Sequence, residues 1–222
     1  VMAKILSTKI LEDAVYERLL AAGHALTQYN ALEAESFPFS AAPYPVYVCS
    51  SQNAVAALRE YWHRQDQNTL QTAKWFCVGE KTAETLEALG IQVTATAENA
   101  TALIENYLKP LDTKILWFTG VRKTPALENF IREKGCDHMD CYMTLAVQKS
   151  FSQDFDAILF FSPSGIESYL KSNSLQNTTL ACCIGETTAE AAKKHTSKLL
   201  VSKKASSMHL AVEVINHFKK EL

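Results

Sequence analysis

The feature that most constrains this chain is that it repeats itself. Lys4-Ile5-Leu6-Ser7-Thr8 returns as Lys114-Ile115-Leu116-Trp117-Phe118-Thr119. Val78-Gly79-Glu80-Lys81-Thr82-Ala83-Glu84 returns as Ile184-Gly185-Glu186-Thr187-Thr188-Ala189-Glu190. Looser echoes join Ser50-Ser51-Gln52-Asn53-Ala54-Val55 to Phe161-Ser162-Pro163-Ser164-Gly165-Ile166, and Asn99-Ala100-Thr101-Ala102-Leu103 to Ala205-Ser206-Ser207-Met208-His209-Leu210. All fall in the same order, at offsets of 106 to 111 residues. One shared G-E-x-T-A-E is within reach of chance; an ordered set at one offset is not. A unit of half the chain used twice fits better than an array of short repeats. The 222 residues suit two domains of about 100 each.

Each half alternates strand with helix. The β-rich runs are Ile5-Ser7, Val46-Cys49, Trp75-Val78, Ile115-Phe118, Ala157-Phe161 and Leu180-Ile184, each followed by a helical pattern. Leu11, Val15 and Leu19 share one helix face, and Gly23, Gly90 and Gly135 are placed to end helices. Ser162-Pro163 puts a cap before a proline at the first helical position, while Ser164 and Glu167 fit a capping box two residues on. Strands alternating with helices predict an α/β protein with parallel sheets and right-handed crossovers.

Composition removes several classes. The chain is 47% hydrophobic and 21% charged, which excludes disordered and collagen-like proteins. A net charge of -2 is a poor match for a nucleic-acid binder. No apolar run approaches the ~20 residues of a membrane helix, and no basic segment leads into an apolar one near the start. The expectation is a cytoplasmic protein with no nucleic-acid or membrane partner. Cys49, Cys77, Cys136, Cys141, Cys182 and Cys183 form no C-x-x-C pair, and no zinc spacing occurs. They read as reduced, buried thiols.

In parallel α/β sheets, ligands bind beyond the carboxyl ends of the strands. The residues there are small and rich in hydroxyls: Thr8 and Lys9, Ser50, Ser51 and Asn53, Lys81 and Thr82, Arg122, Ser162 and Ser164, Thr187 and Thr188, with Ser207 in the last echo. Strand-to-helix turns expose backbone N–H groups that bind carboxylates or phosphates. Each hydroxyl taken singly also reads as a plain helix cap, and each lysine as a solvated surface charge. The set, at equivalent ends of two domains, points to an anion-binding cleft. There is no G-x-G-x-x-G, no G-x-x-x-x-G-K-[ST] and no G-x-S-x-G, so those nucleotide and hydrolase sites are not expected. Without a Gly-rich loop after the first strand, the chain is not a flavodoxin proper.

The ordered set resembles the uroporphyrinogen-III synthase family over nearly the whole chain. The matching residues are Ser50-Ser51-Gln52-Asn53-Ala54-Val55, Val78-Gly79-Glu80-Lys81-Thr82-Ala83, Phe161-Ser162-Pro163-Ser164 and Ile184-Gly185-Glu186-Thr187-Thr188-Ala189. The family's linker tyrosine looks like Tyr142 in Cys141-Tyr142-Met143-Thr144. Lys9 stands where the family often has arginine, and Glu80 and Glu186 stand where it has proline.

The resemblance implies two similar flavodoxin-like domains joined by a two-stranded linker, with a cleft between them. One domain would comprise residues 1–34 with 148–222 and the other 35–147, with linkers near 32–46 and 140–150. The prolines of Phe37-Pro38-Phe39 and Ala42-Pro43-Tyr44-Pro45 suit the first linker. The implied substrate is hydroxymethylbilane, a linear tetrapyrrole with eight carboxylates. It would lose its terminal hydroxyl as water, invert its last ring and close into uroporphyrinogen III without a cofactor. Tyr142 is the catalytic candidate, its alternative a linker aromatic packed for stability. Thr8, Lys9, Ser50, Ser51, Asn53, Lys81, Thr82, Arg122, Ser162, Ser164, Thr187, Thr188 and Ser207 are the substrate-binding candidates, in a protein expected to be a monomer. The rival is a non-catalytic two-domain protein that binds an anionic small molecule in the same cleft. With neither metal nor thiol expected in the chemistry, dialysis against a chelator should leave activity intact. Loss restored by a divalent ion would contradict that expectation.

Overall fold

The computed structural model describes residues 2–61 and 67–220. In chain order the elements are β1 (Lys4–Ser7), α1 (Asp13–Ala21), β2 (Ala25–Gln28), β3 (Leu32–Ser36), β4 (Val46–Cys49), α2 (Gln52–Tyr61), α3 (Gln67–Thr72), β5 (Lys74–Val78), α4 (Glu80–Glu87), β6 (Val93–Ala97) and α5 (Ala100–Leu103), which runs on as a π-helical turn, Ile104–Leu108. There follow β7 (Ile115–Gly120), α6 (Pro125–Lys134), β8 (Asp137–Ala146), β9 (Ala157–Phe160), α7 (Pro163–Leu170), β10 (Leu180–Cys183), α8 (Glu186–Ala192), β11 (Leu199–Val201) and α9 (Ser207–Lys220). The chain divides into two compact units, Val1–Glu33 with Leu145–Leu222, and Ala34–Thr144.

The first unit holds a sheet of order β11-β10-β9-β1-β2, parallel throughout. The second holds β3-β8-β7-β4-β5-β6, parallel from β8 to β6. Set side by side, the orders are the same, with β9, β10, β11, β1 and β2 standing for β4, β5, β6, β7 and β8. At the central strands the register agrees residue by residue, whereas β5–β6 slips at Trp75/Phe76 and its counterpart β10–β11 does not. Ile5 lies opposite Ala157, and Ala157 opposite Leu180. Ile115 lies opposite Val46, and Val46 opposite Lys74. These are the offsets of the sequence repeat, so the repeat is one sheet built twice. The chain order differs, since the first unit takes β1 and β2 from the start of the chain, and the second sheet has one further edge strand, β3.

Burial explains which strands are apolar runs. β4, β7, β9 and β10 are buried at every position, as central strands covered on both faces must be. Each sheet carries a core on either face. In the second unit, Tyr47, Trp75 and Phe118 stack with ring centroids 4.7 to 6.1 Å apart, and Phe39 adds its ring to Phe118 at 5.4 Å. Leu11, Val15 and Leu19 are all buried, and Gly23, Gly90 and Gly135 all have positive φ after their helices. Ser162 is the cap of α7, with Pro163 at the first helical position, so the capping-box alternative two residues on is not used.

The two runs expected as a two-stranded linker both contain strand. The run near 140–150 is strand as far as Ala146, so Tyr142 sits inside the ten-residue β8. Within 32–46, β3 occupies the start, and the proline-punctuated remainder packs down through Phe39, only 7% exposed. The physical reason is pairing: Phe37 N–H donates to Cys141 O at 3.1 Å, and Val121 N–H to Tyr142 O at 3.0 Å. Strand β8 is held by these bonds together with Cys141, which is fully buried, and Met139 and Tyr142, which pack against the same core.

One buried group sets a pH limit on stability. His24 is 6% exposed, its Nδ1 accepts the Ala3 N–H at 3.3 Å, and its ring meets Phe218 at 5.6 Å. Its Nε2 finds no hydrogen-bond partner among the described residues. Burial, with the Lys219 charge adding to it, lowers its pKa from 6.5. The unfolded chain therefore takes up this proton first as pH falls, and stability is lost as pH drops below about 6.5 toward the lowered folded value. His24→Gln should flatten the dependence of Tm on pH between about 7 and 5. An unchanged slope would place the acid sensitivity elsewhere.

Candidate active site

In each sheet the strand order reverses once, between β1 and β9 and between β4 and β7. At such a reversal the helices depart to opposite faces and leave a crevice beyond the carboxyl ends of the two strands. Hydroxyl groups collect at both reversals.

In the second unit, β4 ends in Ser50 and Ser51. Ser50 Oγ accepts from the indole N–H of Trp117 on β7 at 3.0 Å. Ser51 caps α2, its Oγ accepting the Ala54 N–H at 3.1 Å. The same Oγ lies 3.0 Å from Tyr142 Oη, with either oxygen able to donate. Tyr142 reaches across because β7 ends in Gly120. A Cβ there would lie 2.8 Å from Tyr142 Cζ and 3.1 Å from its Oη. The register between β7 and β8 shifts at Thr119/Gly120, which places Tyr142 opposite Gly120. The ring thus lies on bare backbone with its hydroxyl at the start of α2. Two residues before Tyr142 on β8, Asp140 Oδ1 accepts from Lys123 Nζ at 2.7 Å.

In the first unit, Thr8 Oγ1 donates to Leu159 O at 2.8 Å, across the β1–β9 reversal. Ser162 Oγ accepts the Gly165 N–H at 3.0 Å and lies 3.3 Å from Ser164 Oγ. A Cβ on Gly165 would stand 3.3 Å from Ser162 Oγ and 3.8 Å from Thr8 Oγ1, so two hydroxyls from the ends of different strands border that glycine.

The helices divide by charge. Those that follow β4 and β9 carry no acidic residue in their first turn, whereas α4 and α8 begin with Glu80 and Glu186. The macrodipole favours anions at helix N-termini, and a resident carboxylate already meets that preference in α4 and α8. The starts of α2 and α7 carry no such carboxylate, whereas α1 and α6, which leave the same reversals, carry Asp13 and Glu128 in their first turns. The nearby thiols stay protonated: burial pushes Cys141 up to about 12 and raises Cys49 as well. Among the described residues, no three His, Cys, Asp or Glu side chains group as metal ligands, and no helix is long and apolar enough to cross a membrane.

The family model for "Uroporphyrinogen-III synthase HemD" matches residues 19–211. The chain belongs to the uroporphyrinogen-III synthase family. Among solved structures, that of uroporphyrinogen-III synthetase from Helicobacter pylori 26695 shares 18% identity at a TM-score of 0.76, covering 98% of this chain and 100% of the other. A mutant uroporphyrinogen III synthase from the extremely thermophilic bacterium Thermus thermophilus shares 15% identity at a TM-score of 0.63, covering 98% of this chain and 99% of the other. Both likenesses show a shared α/β fold. No curated protein matches by sequence.

Against this synthase fold, the expected site residues sort themselves. The structure brings Ser51 together with Tyr142, and Thr8 together with Ser162 and Ser164. Lys9 and Arg122 are exposed just past strand ends, Asn53, Lys81 and Thr187 are exposed in the first turns of α2, α4 and α8, and Ser207 is half-buried at the start of α9. Thr82 and Thr188 are buried, and their amides already donate to Gly79 O and Gly185 O at 3.0 and 3.2 Å. They shape their turns from inside. The role of Gly120 as floor for Tyr142, the Trp117–Ser50 bond and the Lys123–Asp140 pair were not legible beforehand. Only a glycine closing an apolar run hinted at the first.

Gly120→Ala should swing the phenol away from Ser51. The lost bond is worth about 1 kcal/mol. In a double-mutant cycle, Tyr142→Phe should then cost almost nothing in the Gly120→Ala background. Additive denaturation energies would show that the ring and Gly120 do not depend on each other.

Proposed function

We propose that this protein closes hydroxymethylbilane into uroporphyrinogen III, with loss of the terminal hydroxyl as water and inversion of the last pyrrole ring. Family membership supports this reaction. The observation that carries its assignment to particular residues is the Tyr142 hydroxyl, seated on Gly120 and 3.0 Å from Ser51 Oγ at the reversal of the second sheet.

The departing hydroxyl needs a hydrogen-bond donor as its C–O bond breaks. With Ser51 donating to Tyr142, a chain runs from the Ala54 N–H through Ser51 Oγ to Tyr142 Oη and leaves the phenol proton free for the leaving oxygen. Such chains polarise along their length, and this one begins at the positive end of α2. Carboxylates of the bilane would be met by Lys9 and Arg122 just past strand ends, by Lys81 in the first turn of α4, and by the turns of Ser50, Ser51, Ser162 and Ser164. Thr8, Asn53, Thr187 and Ser207 complete the proposed contacts, and Thr82 and Thr188 contribute the shape of their turns. We read the two units as two flavodoxin-like domains, and the interdomain cleft implied by the family resemblance is part of this proposal. A net charge of -2 offers little long-range attraction for a polyanion, so affinity must come from such local donors. No cofactor is required. The work is to hold the terminal ring apart while closure is redirected, which is positional catalysis.

Supplied with hydroxymethylbilane, the protein should give mainly the type III isomer, measured by chromatography of the oxidised products. Tyr142→Phe should lower turnover about tenfold or more, the effect of roughly 1.4 kcal/mol lost from the transition state, with Tm lowered by only about 2–4 °C. Production of type I alone at the rate of buffer would leave a binding protein without this activity.

A further inference from the structure

The loop that leaves β7 is tied to β8 twice. Val121 N–H donates to Tyr142 O at 3.0 Å, and two residues on Lys123 Nζ meets Asp140 Oδ1 at 2.7 Å. The side chains of that ion pair are only 14% and 35% exposed. Between the ties stands the exposed Arg122. Asp140 lies opposite Thr119 and Tyr142 opposite Gly120, so the ion pair and the phenol hang from one strand on either side of its irregularity.

The first unit has a loop in the same place. Ser7 lies opposite Gln28 and Trp117 opposite His138, and Ser7 and Trp117 are counterparts in the repeat. Gln28 therefore corresponds to His138, and Asn30 to Asp140. Asn30 Oδ1 accepts the Ile10 N–H at 3.0 Å, and Gln28 Oε1 accepts the Leu11 N–H at 3.1 Å. Side chains at or just past the end of the corresponding strand fasten the loop in both units, with Asn30 two residues beyond β2 and gripping Ile10, the counterpart of Gly120. The fastener is a neutral amide in the first unit and an ion pair only where the loop adjoins Tyr142.

We propose that Lys123 and Asp140 are positioning residues that hold the Tyr142 hydroxyl at Ser51 and so set which isomer is formed. This rests on the reaction proposed above. A charge-assisted bond between half-covered partners holds geometry better than an amide contact. Without it, the Val121–Tyr142 bond is left as the loop's tie beside the ring, and an error of about 1 Å at a catalytic group is costly. Neither residue touches the reacting atoms, so their loss should act on turnover and isomer choice more than on substrate affinity.

The intact protein carrying 3-fluorotyrosine gives a fluorine resonance for Tyr142, identified by its disappearance in Tyr142→Phe. Asp140→Asn and Lys123→Met should shift or broaden that resonance. They should also lower the ratio of type III to type I product at least threefold, and reduce kcat more than they raise KM. Asp140→Glu should restore most of the ratio. If Lys123→Met fails to fold, the paired reversal Lys123→Asp with Asp140→Lys keeps both charges, and it should return the resonance toward its native position. A resonance unmoved in Asp140→Asn overturns the proposal, and so does a moved resonance with an unchanged isomer ratio. If the native protein makes no type III product at all, the proposed reaction is what fails. The fluorine spectra still decide by themselves whether the pair holds Tyr142.

Discussion

A parallel strand covered on both faces must be paired along both edges, because its amides have no water to turn to. That constraint governs the centre of each sheet, where β1 meets β9 and β4 meets β7. Each meeting is also the place where strand order reverses, so the pairing that completes the sheet opens a crevice at its carboxyl edge. The rest of the candidate chemistry hangs on it. Ser51 is delivered by the end of β4, Gly120 by the end of β7, and Ser162 and Thr8 by the corresponding strands of the other unit.

The two reversals are not equipped alike. Around Gly165, Thr8 commits its hydroxyl proton to Leu159 O, and the serine hydroxyls face one another. That arrangement suits recognition. Around Gly120, a phenol on a third strand is brought to a capped helix start, and its surroundings carry the Lys123–Asp140 charge pair. A duplicated scaffold has thus kept its hydroxyl-rich turns in both copies and gained an aromatic donor in one. The extra reach depends on a glycine, since any Cβ at position 120 would occupy the space of the ring.

The central strands were readable because they are unbroken apolar runs, and the repeat was readable because the same turns recur at one offset. Tyr142 and Ser51 could each be named from the chain. Their contact could not, since it needs the register shift between Thr119 and Gly120. Strand β8 escaped for a related reason. Its sequence, DHMDCYMTLA, has one fully buried residue, Cys141, and no regular alternation. Its strand character comes from bonds to Phe37 and Val121. Edge strands β2, β3, β6 and β11 are short and half-covered, so they leave little hydrophobic trace. The Lys123–Asp140 pair spans two elements, and no spacing rule within one helix or strand would find it.

The shared sheet order has a consequence during synthesis. In the second unit, β4 to β8 leave the ribosome in one continuous stretch and can pair as they appear. The first unit is different, because β1 is wedged between β2 and β9, and β9 begins only at Ala157. At ~5–20 residues per second, its partner follows roughly eight to thirty seconds later. For that interval the nascent chain carries an apolar strand with an open edge, Ile5 and Leu6 among its residues, while a finished sheet with similar edges forms just behind it. The same repeat that makes the two sheets alike makes each an available wrong partner for the waiting strand. The differences between β1 and β7 and their exits, Ser7 against Trp117 and Thr8 against Phe118, are then among the features that tell the two copies apart.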